Sequence, residues 1–133
     1  MIIGIGTDII QIPRVEKILT THIDLFIEKY FSKEEFEKYK NYKLTPKQLA
    51  AKVAKFFSAK EAFVKALGTG FRFGIELKDI QILSDELGKP YIKILNKTKE
   101  YIDKTFGENL YFHLSLSDDY PTAISFVVIE RNN

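Results

Sequence analysis

The spacing of apolar and polar positions changes several times along the chain, and each change marks an element. The opening run MIIGIGTDII is apolar at almost every position. It predicts a strand over residues 2–10, apolar on both faces, with Asp8 at its end. Gly4 and Gly6 thin this strand and leave room for another backbone or a ligand to approach closely. Ile12, Val15, Ile18 and Leu19 then recur at helical spacing, with Pro13 near the start, and IDLFIEKYF continues the helix. SKEE reads as a capping box, with Ser32 as N-cap and Glu35 three residues on, opening a short helix that reaches about residue 40.

TPKQ is the clearest helix start in the chain. Thr45 caps, Pro46 takes the first helical position, Gln48 completes a capping box, and Gly68 supplies the stop. A long helix over residues 46–67 follows. Beyond Gly74 the period falls to two: DIQILSD and PYIKIL flank ELGK as a hairpin, and a lysine-rich helix over residues 96–106 ends at Gly107. In LYFHLSLS, Leu110, Phe112, Leu114 and Leu116 share one face, and Tyr111, His113, Ser115 and Ser117 share the other. Residues 118–121 turn the chain into TAISFVVIE, expected to be a buried strand. No repeat or low-complexity linker interrupts the sequence. The pattern predicts an α+β fold, one domain over residues 1–133, with a largely antiparallel sheet packed on a long central helix.

Composition agrees. A chain of 133 residues, 45% hydrophobic and 29% charged, suits one domain with a true core. Without cysteine it can build neither a disulfide nor a thiolate metal site. The first residues lack a basic leader, and no run of about 18 apolar residues occurs, so the expectation is a cytoplasmic protein with no membrane span. The net charge is only +2. From Lys38 to Lys65, however, Glu61 is the sole acidic residue against Lys38, Lys40, Lys43, Lys47, Lys52, Lys55, Lys60 and Lys65. Such a segment is either a solvated lysine face or the docking surface of an anionic partner: a phosphate ligand, a nucleic acid or an acidic protein.

The long helix carries the chemistry. On a helical wheel Leu49, Val53, Phe56, Phe57, Phe63, Val64 and Leu67 form an apolar stripe. Lys60 falls near its middle, Glu61 at its edge, and Lys65 one turn beyond Glu61. Burying such charges is costly unless they are paired or bind something. One reading is a helical Glu61–Lys65 ion pair with Lys60 snorkelling to solvent. The other is a ligand site, favoured by the GTGFRFG loop that follows, where Gly68, Thr69 and Gly70 offer backbone N–H groups to a phosphate. The loop is not a Walker motif, and GIGTD is not a dinucleotide fingerprint. Asp8 is either a turn or cap aspartate or a ligand. With Glu61 and a phosphate it could share Mg2+, which needs only one or two carboxylates beside phosphate oxygens and water.

IGIGTDIIQIPRVEK, FSAKEAFVKALGTGFR and ELGKPYI, in this order and spacing, resemble the holo-[acyl-carrier-protein] synthase family of small 4'-phosphopantetheinyl transferases. The resemblance spans nearly the whole chain. It implies transfer of the 4'-phosphopantetheine arm of coenzyme A to a serine of apo acyl carrier protein. Adenosine 3',5'-bisphosphate leaves, Mg2+ is required, and the product serves fatty acid biosynthesis. Asp8 and Glu61 fall on the family's Mg2+ ligands and Lys65 on its phosphate-contacting lysine, which makes these three the implied catalytic set. The resemblance also implies a homotrimer with active sites between subunits. Its acidic carrier protein would meet Arg14 and the lysine-rich segment, including Lys40 and Lys43.

Further ligand contacts are expected from Lys60, Gly68, Thr69, Gly70 and His113. For Lys60 an inner role, paired with a carboxylate or the phosphates, is preferred to snorkelling. The serine proton could pass to Glu61 or to a metal-bound water. His113 matches a family histidine, and an exposed strand histidine and a residue at the ligand both remain open for it. Two positions depart from many relatives. Phe56 stands in place of an arginine, with the expected loss of a basic contact, and Asp118 replaces a histidine and inherits no role. A nucleic-acid module built on lysines interleaved with Tyr39, Tyr42, Phe56 and Phe57 is disfavoured. The last two aromatics sit on the packing face, and the chain is barely basic. A non-catalytic scaffold is disfavoured by the intact Asp8, Glu61 and Lys65.

Overall fold

The computed structural model describes residues 1–37, 39 and 42–132. In chain order it contains β1 (Ile2–Gln11), α1 (Ile12–Tyr30), α2 (Glu34–Glu37), α3 (Pro46–Leu67), β2 (Ile80–Ser84), β3 (Pro90–Ile94), α4 (Asn96–Phe106), β4 (Leu110–Asp119) and β5 (Thr122–Arg131). A single 3-10 turn, Leu77–Asp79, leads into β2. No helix among the described residues is long and apolar enough to cross a membrane.

The central helix begins and ends where its caps require. Thr45 accepts from the Gln48 N–H while the Gln48 side chain accepts from the Thr45 N–H, and Gly68 closes the helix in the left-handed conformation at φ 77°. Its buried face, which includes Val53, Ala59, Ala62, Phe63 and Ala66, forms the spine of the core.

All strand pairs are antiparallel, but the strands form two sheets: β1-β5-β4 and the β2-β3 hairpin. The three-stranded sheet lies against α3 through β1 and β5. Gly4 and Gly6 explain how closely. A Cβ on Gly4 would lie 1.9 Å from the Ala66 carbonyl oxygen, and one on Gly6 would lie 1.9 Å from that of Ala62. The expected close approach is therefore helix backbone against strand backbone. Ser58 fastens the contact: its hydroxyl lies 3.2 Å from the Asp8 carbonyl oxygen and 2.7 Å from the Ser125 hydroxyl.

Several expectations need correction. β1 runs through to Gln11, so Asp8 sits within the strand, opposite Ser125, and not at its end. Neither β1 nor β5 is covered on both faces. The face turned away from α3 exposes Ile5, Ile9, Ile124 and Phe126, with Ile5 62% and Phe126 45% accessible. α1 is bent at His22, whose φ −141° and ψ 41° are not helical. The SKEE box is half formed. The Ser32 N–H donates to the Glu35 carboxylate, but the Ser32 hydroxyl donates to that same carboxylate. The expected reach of this helix to residue 40 extends past Glu37 onto residues 38 and 40, which lie outside the described residues.

Candidate active site

Asp8 comes from β1, and Glu61 and Lys65 come from successive turns of α3. The strand crosses the helix at Gly4 and Gly6, and Asp8, next on the same strand face, meets the following turn of helix. The Lys65 ammonium donates to Asp8 Oδ1 and to the Thr7 carbonyl, each at 3.1 Å. Lys65 thus bridges from the helix to the strand, whereas the helical reading had paired it with Glu61. The Lys65 side chain is 56% exposed and that of Asp8 only 16%, so the ammonium stands at the mouth of the site and the carboxylate lies deeper.

Asp8 and Glu61 share a cleft of about 310 Å³ with Arg14, Ile10, Phe26 and Phe57. A second cleft of about 510 Å³ is lined by Lys29, Tyr30, Phe57, Glu61, Phe71 and Leu77, among others. Glu61 and Phe57 border both, so Glu61 stands where the two clefts meet. Burial, and then the negative charge of Asp8, push the Glu61 carboxyl above the usual carboxylate range; Lys65 opposes them.

Two carboxylates from separate elements, Asp8 on β1 and Glu61 on α3, form an oxygen donor set suited to a hard divalent cation. Among the described residues no group of three or more metal-ligating side chains converges. This pair could hold Mg2+ only if water and a phosphate supply the remaining ligands, which is the usual habit of that ion. The Lys65 ammonium on Asp8 shows that the site attracts positive charge.

Lys60 takes the expected inner role in its carboxylate-paired form, but the expected ligand contact requires a correction. It is wholly buried and makes no approach to either cleft. Its ammonium donates to Glu35 Oε2 at 2.9 Å, to the Leu77 carbonyl at 2.8 Å and to the Ile80 carbonyl at 2.7 Å. All three protons are used, which leaves none for a phosphate. The partner, Glu35, is the residue that sequence reasoning treated only as a helix cap. The available signal was Lys60 itself, since a lysine inside an apolar stripe demands a carboxylate somewhere.

Among the other expected contacts, the Gly68 N–H is committed to the helix cap, donating to the Val64 and Lys65 carbonyls. Thr69 is buried, its hydroxyl on the Gly70 carbonyl and its own carbonyl on the Arg72 Nε. Gly70, at φ 65°, continues the turn. His113 lies on the polar face of β4, 3.0 Å from Glu130, on the opposite side of the sheet from α3, and does not join Asp8 and Glu61 within one chain. Arg14 does join them. Lys43 is exposed, and Lys40 lies outside the described residues. The cationic segment is not one free face, because Lys47 and Lys52 sit over the rings of Tyr120 and Tyr39 and Lys55 pairs with Asp118 at 3.0 Å. Phe56 is buried against Phe36 and Tyr39, so this position looks into packing and not toward the clefts. Sequence reasoning missed Lys29, Tyr30 and Phe71 as cleft walls; the first two carry no local motif, and Phe71 lies in a glycine-rich loop that was read only for its backbone N–H groups.

A model of the 4'-phosphopantetheinyl transferase superfamily matches residues 4–125. A holo-[acyl-carrier-protein] synthase from Wolbachia pipientis is 49% identical over 97% of this chain and 98% of its own length. One from Zymomonas mobilis is 49% identical over 98% and 97%. Among solved structures, the holo-ACP synthase of Plasmodium yoelii superposes with a TM-score of 0.84 at 32% identity, covering 100% of this chain and 98% of the other. The enzyme of Bacillus anthracis, in complex with CoA (3',5'-ADP), superposes at 0.78 with 33% identity, covering 99% of each. The fold, the length and the sequence agree, and the chain belongs to the holo-[acyl-carrier-protein] synthase family of 4'-phosphopantetheinyl transferases.

Proposed function

We propose that the chain transfers the 4'-phosphopantetheine group of coenzyme A to a serine of apo acyl carrier protein, in the presence of Mg2+, with adenosine 3',5'-bisphosphate as the leaving group. The observation that carries this reading is the meeting of Asp8 and Glu61 from two elements in one cleft, with Lys65 on Asp8 at its mouth. The coenzyme A complex of the Bacillus anthracis relative supports the choice of donor.

Asp8 and Glu61 would hold the divalent cation, which would supply Lewis-acid charge to the pyrophosphate. Lys65, mostly exposed and tethered at its ammonium, can exchange Asp8 for a phosphate oxygen and steady the charge that gathers on the transferred group. The serine oxygen bonds to phosphorus, the bond to the bisphosphate breaks, and the serine proton passes to a base. Glu61, on the wall of the same cleft, and a water held there are the two candidates for that task. Arg14, on the wall of the same cleft, and the exposed Lys43 present positive charge to an acidic carrier protein. The exposed apolar face of β1 and β5 supports assembly into the trimer expected of the family, since a patch of this kind marks an interface. Supply of holo carrier protein places the activity in fatty acid biosynthesis.

Calorimetry with coenzyme A, with and without Mg2+, tests the site. Wild type should bind more tightly with Mg2+, and Asp8→Asn and Glu61→Gln should lose that gain while remaining folded. Equal Mg2+ dependence in either variant would remove that residue from the ligand set.

A further inference from the structure

The buried ammonium of Lys60 lies behind the second cleft and touches the segments that form three of its walls. Those walls are the end of α1 (Lys29 and Tyr30), the exposed edge of α3 (Phe57 and Glu61), and the strap after the glycine-rich loop (Ile75, Glu76 and Leu77); Phe71 of the loop itself forms the fourth side. Lys60 itself belongs to α3, one residue before Glu61. Its Nζ donates to the carbonyl of Leu77 in the strap and to that of Ile80 just beyond it. It lies 4.8 Å from the ring centre of Phe31, the residue that follows Tyr30 and closes α1 through an N–H bond to the Ile27 carbonyl. Glu35 completes the joint: both carboxylate oxygens face the Lys60 ammonium, one also accepts from the Ser32 N–H, and the other accepts from the Ile82 N–H at 3.0 Å.

We propose that Lys60 and Glu35 are positioning residues for the transfer reaction: their buried pair clamps α1, α3 and the 75–82 strap in the one arrangement that forms the cleft beside Glu61. A hydrophobic contact at the same place could fill the volume but could not fix direction. Hydrogen bonds from an ammonium to two carbonyls and a carboxylate are directional, and they set both the rotation of α3 about its axis and the distance of the strap from it. Glu61, on the next residue of the same helix, inherits that rotation. Neither Lys60 nor Glu35 reaches the cleft itself, so the pair acts only through the walls it holds.

The inference rests on the transferase reading, and the experiment separates the two. Lys60→Met and Glu35→Gln are compared with wild type well below their melting temperatures, with concentrations of folded protein set by circular dichroism and native mass. Glu35→Gln is the gentler variant, because an amide oxygen still accepts from the Ile82 N–H. KM for coenzyme A and for carrier protein are measured separately, together with amide exchange of residues 75–82. The expected result is a KM for coenzyme A raised roughly ten-fold or more in Lys60→Met, the scale of loss when a group that orients a ligand-holding residue is removed. The rise should be smaller in Glu35→Gln, with faster exchange in the strap and an unchanged KM for carrier protein. If both variants, per folded molecule, match wild type for coenzyme A, the pair is structural only and the proposal is overturned. It is overturned equally if coenzyme A and carrier protein suffer alike. A wild type that transfers nothing would instead sink the transferase reading.

Discussion

The ammonium of Lys60 lies 2.8 Å from Oε1 and 2.9 Å from Oε2 of Glu35, and neither side chain has any solvent exposure. Burial pulls the Lys60 pKa down to about 8 and pushes the Glu35 carboxyl up, while each partner's charge works against the shift in the other. Lys60→Met leaves the Glu35 carboxylate buried without its cation. Breaking one side of such a pair typically costs about 3–5 kcal/mol. Urea titration of the unliganded protein should show a loss of this order, and an unchanged midpoint would contradict the paired geometry. Had Lys60 faced a phosphate, the other inner role the sequence left open, the same substitution would be neutral or slightly stabilising.

Glu61 makes a prediction about pH. Its folded pKa is raised above the ordinary 4.5, so just above that value the folded state binds more protons than the unfolded chain. Stability from this group is therefore full on the acid side and is lost as pH rises through the raised folded value. Glu61→Gln has no such loss. At pH 7 without metal the variant should melt above wild type, and the gap should close as pH falls toward 4.5. A variant that is less stable at pH 7, or a gap that does not change with pH, would show that Asp8 and burial do not strain Glu61.

Elements governed by local rules were legible in the sequence. The bounds of α3 follow from TPKQ and Gly68, and the alternation of β4 follows from LYFHLSLS, because caps and pleats act over a few residues. The relations that failed to read are long-range. Glu35 is 25 positions from Lys60 and looked complete as a cap. The continuous apolar run of β1 suggested cover on both faces, yet within one chain only the glycine face meets α3. Asp8 looked like a strand end, but it pairs with Ser125 in the ladder, the Ser58 hydroxyl donates to its carbonyl, and the strand continues to Gln11. For the site, the Asp8, Glu61 and Arg14 grouping follows the motifs. The second cleft depends on where the strap and the end of α1 meet, a long-range relation for which the sequence offers no marker.

The crossing of β1 and α3 supplies a third prediction. A methyl group on Gly6 would stand 1.9 Å from a backbone oxygen of Ala62, and a backbone atom cannot turn aside as a side-chain tip can. Gly6→Ala should cost about 3 kcal/mol, the upper end for overpacking. By moving the strand off the helix, it should also separate Asp8 from Lys65 and depress turnover of the molecules that remain folded. Denaturation midpoints near wild type would mean that strand and helix are farther apart than described.

The transfer itself is tested by the intact mass of an apo acyl carrier protein incubated with this protein, coenzyme A and Mg2+. The account predicts a gain equal to one phosphopantetheine group at a single serine. That gain should be lost when Mg2+ is chelated and be strongly slowed in Lys65→Met, whose fold should be nearly undisturbed because an exposed ion pair contributes only about 0.2–1 kcal/mol. A carrier protein that keeps its apo mass with folded wild-type protein, coenzyme A and Mg2+ all present would contradict it.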